Sequence, residues 1–369
     1  MHSKSTLALA IGAACAVLAG AAGAQTRVEL YGSVDAGVSY VNNARGNGQT
    51  LVDSGNRSPD RFGIRGSEDL GGGYQALFGI ESGFSLDTGA QKNPNKLFQR
   101  RTFVGLSGPI GTVSLGHMPD FMYDYLRFQS NGIMGSAYFF HPGNLDNQAN
   151  QFQIDNAVRY ETPVMRGFKF GAMVGAGEQP ESSVKGRHYS LGAQYASGPL
   201  KANLAYTKSR DRAFNLGATL GLPSVLGQAL SSDPSAVDAK YANFNADRVT
   251  SFGATGSYTI GRFTPHAMVS SVKLETRAGA ETQRNVELGT DYALTPADTL
   301  GVSVATSKFG EVRWDQFNVI NMYRFSKRTT LYGAVAFQKA KNGVAVIQGL
   351  APSSTDKQVV SRIGLHHLF

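Results

Sequence analysis

Few residues in this chain have the types and spacing that make or break bonds. His366 and His367 are adjacent in an alternating segment, so their rings point to opposite sides and cannot hold one metal ion. His117 follows another such segment and stands apart from them. The single cysteine, Cys15, lies in an N-terminal leader, which leaves no disulfide or thiolate metal site beyond it. Gly-x-Gly triplets are scattered and never open a helix, so no nucleotide loop is implied. No Ser/His/Asp set or carboxylate pair stands out, and neither an enzyme, a cofactor nor a metal is expected. The remaining chemistry is electrostatic. Arg61 and Arg65 alternate with Phe62 and Ile64, which puts two guanidinium groups on one face and two apolar side chains on the other. The formal net charge of +8 could suit nucleic acid, but no basic run or helix carries it, and nucleic acid is not expected as a partner.

Such residues need a sheet to position them. Residues 27–41 place Val28, Leu30, Val34, Ala36, Val38 and Tyr40 on one face and Arg27, Glu29, Ser33, Asp35 and Ser39 on the other. A period of two over that length predicts a strand of roughly 50 Å, far longer than the five or six residues usual in water-soluble sheets. The pattern recurs near 61–65, 75–84, 97–107, 112–117, 151–162, 167–176, 187–197, 199–208, 248–260, 262–276, 284–294, 299–308, 314–325, 329–340 and 357–369, about sixteen strands in all. Two classes of connector alternate. Short ones lie at 69–73, 108–111, 162–167, 198–199, 261–262, 295–298 and 326–328. Long ones lie at about 42–58, 85–96, 118–150, 177–186, 209–247, 277–283, 309–313 and 341–356. Aromatic residues including Tyr40, Tyr74, Phe84, Tyr160, Tyr195, Tyr206, Tyr258, Phe263, Tyr292, Tyr323 and Phe325 fall near predicted strand ends. An even strand count, one short-turn rim, one long-loop rim and aromatic girdles predict an all-β, sixteen-stranded antiparallel transmembrane barrel.

The termini agree with that address. Lys4, the apolar run Leu7 to Leu18 and the small residues Ala22-Gly23-Ala24 read as a signal peptide over 1–24, cleaved before Gln25, with the barrel as one domain over 25–369. Gly12 stands three residues before Cys15, where a lipoprotein signal wants a Leu-like residue, so lipidation is not expected. The final segment alternates up to Phe369. A closed barrel requires such a last strand to pair with the first.

Several segments carry a family resemblance over essentially the whole mature chain. They are Val28-Glu29-Leu30-Tyr31-Gly32-Ser33-Val34-Asp35-Ala36-Gly37, Asp60-Arg61-Phe62-Gly63-Ile64-Arg65-Gly66-Ser67-Glu68-Asp69-Leu70-Gly71, Phe78 to Phe84, Phe98 to Leu106, Gly111 to Gly116, and Ile363 to Phe369. In this order the chain resembles the Gram-negative general porins of beta-proteobacterial type. The resemblance implies an outer-membrane channel for small hydrophilic solutes and ions, assembled as a homotrimer, with short periplasmic turns, long extracellular loops and a third loop folded into the lumen. It implies contact with outer-membrane lipids and lipopolysaccharide, and recognition of the terminal Phe369 by the barrel assembly machinery. It also implies a constriction where wall arginines face acids of the third loop. Matching residues are Arg61 and Arg100 on the wall, with Arg65 beside Arg61 by strand parity, and the loop's acids are Asp120, Asp124 and Asp146.

Parity alone leaves Arg100 and Arg101 open, because neighbours point opposite ways and Val104 and Leu106 share Arg100's parity. The resemblance favours Arg100 inward and Arg101 near a rim. Relatives often carry a basic residue just before the Asn of strand six. This chain has Asp155 before Asn156, so either Arg159 substitutes or the basic wall is weaker. Pro119-Asp120-Phe121 is similar to a Pro-Glu-Phe motif of some constriction loops, but it falls too early in the loop and is read as coincidence. Two unit charges about 8 Å apart interact by about 0.5 kcal/mol at a dielectric near 80 and about 2 kcal/mol near 20. Facing rows of opposite sign therefore create a transverse field, and a basic excess predicts weak anion selectivity. The alternative is a substrate-specific channel with a binding site on the long loops at 118–150 or 209–247.

Overall fold

The computed structural model describes residues 26–178, 184–231 and 244–369. The leader at 1–24, its cleavage point before Gln25 and the centre of the 209–247 connector lie outside the described residues. Alternating segments become the staves of one closed antiparallel barrel. Stave β1 is Arg27–Ala44. Stave β2 comes in two pieces, Asn47–Ser54 and Arg61–Gly71, each paired with a different half of β1. The others are β3 (Tyr74–Gly83), β4 (Arg101–Gly108), β5 (Gly111–Pro119), β6 (Gln153–Glu161), β7 (Phe168–Gly175), β8 (His188–Ser197), β9 (Leu200–Phe214), β10 (Phe244–Tyr258), β11 (Phe263–Thr276), β12 (Gly279–Ala293), β13 (Asp298–Phe309), β14 (Val312–Arg324), β15 (Thr329–Lys341) and β16 (Lys357–Leu368). Counting β2 once gives sixteen staves.

Parity sorts the two faces. On β1, Ser33, Asp35 and Ser39 are buried inside the barrel, while Val28, Leu30, Val38 and Tyr40 are exposed on its outer wall. The same outward row continues through Phe78, Val104, Leu115, Val158, Leu191, Phe252, Leu288, Phe317 and Leu365. A ring of large apolar side chains facing outward is the reverse of a water-soluble protein and suits hydrocarbon. Aromatic pairs mark the short-turn rim: Phe168 with Tyr195 at 4.5 Å, Phe263 with Tyr292 at 4.4 Å and Tyr323 with Phe325 at 5.3 Å. Tyr206 differs from the expectation, lying mid-stave opposite Leu191 and Phe252.

Closure joins β16 to β1, in register from Ser33 opposite Leu368 to Val41 opposite Val360. Phe369 continues the ladder by exchanging backbone hydrogen bonds with Gly32 at 3.0 and 3.2 Å. Its ring lies over Gly32, where a Cβ would collide with the ring atoms, so only glycine fits. Inside the seam, the fully buried guanidinium of Arg362 on β16 binds Asp35 at 3.2 Å and also Asp53, while Tyr332 donates to Asp35 at 3.0 Å. Four staves are thereby tied at one point.

Three of the long connectors are corrected. Residues 42–58 are mostly strand, with only Arg45 and Gly46 between β1 and the first piece of β2. Residues 277–283 and 309–313 reduce to the two-residue turns 277–278 and 310–311. In all three, the staves run on past the outward apolar band; around the last two turns Val272, Leu274, Phe309, Val312 and Trp314 are buried inward in an apolar cluster, while Lys273, Lys308 and Arg313 are exposed on the other face. The outward-facing apolar residues stop there, although pairing does not.

Candidate functional site

The third long connector, residues 120–152, fills one side of the lumen. Its first turn, Met122–Leu126, lies in a trough made by the wall. Gly171 pairs with Gly192, Gly192 with Ala205, and Ala205 with Gly253, giving a row of minimal side chains across β7, β8, β9 and β10. A Cβ at Gly171 would collide with Phe121, one at Gly192 would come within 2.6 Å of Tyr125, and one at Gly253 would collide with Leu126. The loop tip reaches the barrel seam, where the Tyr138 hydroxyl donates to Asp53 at 2.9 Å and Ala137 N donates to the Asn56 carbonyl at 2.8 Å. The return leg is held by charge. His141 Nδ1 lies 2.7 Å from Asp146 and its Nε2 lies 3.4 Å from Glu287 of β12, all three being buried. Ser270 donates to Asp146 at 2.7 Å. Burial alone would lower the His141 pKa, but the Asp146 and Glu287 carboxylates outweigh it and hold the imidazole up at about 10. Burial likewise pushes Asp146 up, and the His141 cation more than reverses this, leaving it below the ordinary carboxylate value.

The open part of the lumen lies between this loop and staves β2 to β6. Arg61 and Arg65 point inward from β2, on the parity of Ser33 and Glu29 across the ladder. Glu81 on β3 collects Arg61 at 3.4 Å, Arg100 at 2.6 Å and the Tyr31 hydroxyl at 3.0 Å. Arg65 pairs with Glu29 at 3.0 Å and lies over the Tyr31 ring. Arg101 is a correction: it is no rim residue, but faces the lumen and binds the loop's Asp124 at 2.8 Å. Stave β4 begins at Arg101, so Arg101 takes the inward parity of Phe103, opposite to Val104 and Leu106. Arg100 precedes the strand and reaches the same cavity free of its alternation.

Arg159 points inward from β6 and grips both Asp124 and Glu161, the latter at 3.1 Å, with its guanidinium 4.3 Å from the Phe121 ring. Asp155, the residue before Asn156, is half-exposed and bound to Lys96 at 2.8 Å. Asp120 does not line the open lumen. It is buried where the loop begins, accepting from Tyr123 N at 3.1 Å and Asn147 at 2.9 Å, and burial raises its pKa. Asp146 is likewise buried beneath the loop. Glu81, Glu161, Lys169 and Arg127 were missed by sequence reasoning. The first three share the wet-face parity of their strands and could have been found that way. Arg127 sits in an irregular loop and gives no periodic signal.

Arg127 has no carboxylate within ion-pair distance among the described residues. It is packed against the rings of Tyr123, Phe140 and Phe128 at 5.4, 5.3 and 5.9 Å. Burial raises the Tyr123 phenol, but Arg127, Arg100 and Arg61 outweigh it and hold the phenol below its ordinary value. Around this gap Arg61, Arg100, Arg101, Arg127, Arg159 and Lys169 face Glu81, Asp124 and Glu161, an excess of three positive charges. The gap opens into a cavity of about 390 Å³ lined by Arg61, Arg65, Arg100, Arg101, Tyr123 and Asp124 among others. Such a site can orient and sort ions.

A family model described as Gram-negative porin matches residues 8–343. The chain is 29% identical to outer membrane porin protein 32 of Delftia acidovorans, with 99% of each chain covered. It is 32% identical to an outer membrane porin protein of Bordetella pertussis over 55% of this chain and 58% of that one. Among solved structures, the anion-selective porin from Comamonas acidovorans superposes with a TM-score of 0.76 at 23% identity, covering 94% of this chain and all of the other. The trimer form of OmpT from Vibrio cholerae gives 0.67 at 14% identity, with 93% and 99% covered.

Proposed function

The chain belongs to the Gram-negative porin family and forms an outer-membrane channel, and we propose that its lumen is a general diffusion path with a preference for small anions. The observation that carries this preference is the excess of three positive charges where the third loop narrows the lumen. Arg61, Arg100, Arg101 and Arg159 form the selecting wall, Arg65 stands below them, and Asp124 holds the loop at its distance from that wall. The likeness to the anion-selective porin from Comamonas acidovorans supports the same sign. We assign cleavage after Ala24, a homotrimeric assembly and a role for Phe369 in assembly to the same reading. The short-turn rim then faces the periplasm, the long loops face outward, and lipid and lipopolysaccharide meet the apolar wall. No catalytic role forms part of it.

A site on the long loops is the competing reading. The described part of the 209–247 connector works against it: Leu216, Leu220 and Val225 are buried against Phe214, Trp314 and Leu145 in an apolar plug rather than lining a polar pocket. Liposome swelling separates the two. Diffusion predicts a rate linear in solute concentration for sugars, amino acids and small anions. Saturation with mutual competition would replace it with the specific-site reading.

A further inference from the structure

Large apolar side chains of the third loop are buried almost without exception: Phe121, Met122, Leu126 and Phe139 are fully buried and Tyr125 nearly so. Phe128 is different. It is 54% exposed and lines the same water-filled cavity as Arg61, Arg65, Arg101 and Phe103. A ring left about half exposed in an aqueous gap keeps apolar surface in water that a passing solute can cover. Its neighbour Arg127, 5.9 Å away and without a carboxylate partner among the described residues, keeps a cation beside the ring.

From this juxtaposition we propose that the constriction favours flat aromatic carboxylates of the benzoate class over aliphatic anions of the same size, with Phe128 as the discriminating residue. The proposal rests on the channel reading above and adds a solute class to it. Charge alone does not give this preference, because a guanidinium wall attracts any small carboxylate equally. A ring alone does not give it either, since neutral aromatics would profit as much. The combination lets the carboxylate meet the Arg61 and Arg101 side of the gap while the solute's π-face meets Phe128. Offset or edge-to-face ring contacts are favourable by an amount that corresponds to roughly a two- to tenfold preference.

The test is the permeability of benzoate against cyclohexanecarboxylate, measured by reversal potential against chloride in planar bilayers containing the full-length protein. The two anions match in charge and approximate size, and only one has a π-face. Wild-type protein is expected to favour benzoate by about two- to fivefold, F128Y to keep that ratio, and F128L to bring it close to one. A wild-type ratio of one, or a ratio that survives F128L, overturns the proposal while leaving the channel intact. Absence of chloride conductance in the wild type would overturn both the proposal and the channel reading beneath it.

Discussion

His141 shows how a single side chain can decide the geometry of a pore it does not line. Its imidazolium lies between Asp146 and Glu287, buried where the third loop meets the wall. Removing it leaves two carboxylates in a dry site without a cation, and breaking a buried ion pair this way costs about 3–5 kcal/mol. His141→Ala should therefore lower the heat resistance of the folded barrel, read as gel mobility against temperature; unchanged resistance would show that the cluster is not an anchor. The pH dependence follows from the two shifts. His141 sits above its ordinary 6.5, at about 10, so its contribution is full below roughly pH 6.5 and is lost as pH rises through about 10. Asp146 sits below its ordinary 3.8, so its contribution is present above that value and is lost as pH falls through the depressed one. Heat resistance should be greatest from roughly pH 4 to 6.5 and decline toward pH 10. At this scale the sequence was informative where strands are regular. Arg61 and Arg65 declared their face through Phe62 and Ile64. Arg100 and Arg101 did not, because the strand boundary falls between them and alternation has no force outside a strand.

Elements set the width of the gap. The turn Met122–Leu126 can lie against the wall only because Gly171, Gly192 and Gly253 leave a groove there. Gly192→Val would put carbon where Tyr125 now sits, lifting the turn toward Arg101 and Arg61. Single-channel conductance should fall while the barrel still forms, and an unchanged conductance would mean that the trough does not hold the loop. Each of these glycines is visible in the sequence, but their alignment across staves depends on register. Register is fixed by pairing between separate segments, and periodicity within one segment cannot supply it. The two-residue turns at 277–278 and 310–311 were hidden for a related reason. There the outward positions turn polar, Arg248 lying 3.7 Å from Glu275 across the ladder, while their neighbours Val249 and Leu274 are buried in an apolar cluster on the inner face.

At the scale of the whole molecule the sixteen staves do two separate jobs with one repeat. Outward positions carry Val, Leu and Phe to lipid, and inward positions carry the small and polar residues that seat the loop or face water. The apolar wall, the closing strand and the even count follow from alternation and could be read early. Selectivity depends instead on which charges converge from distant strands. Glu81 and Asp124 each bind two arginines, and Arg127 is left with none of the described carboxylates. The most direct measurement is the zero-current potential across a planar bilayer holding the purified protein in a KCl gradient, repeated with Arg61→Gln and Arg100→Gln combined. Chloride preference is expected in the wild type, weakened in the double variant and further weakened by salt as the Debye length shrinks. Potassium preference in the wild type, or chloride preference undiminished by loss of both arginines, would contradict it.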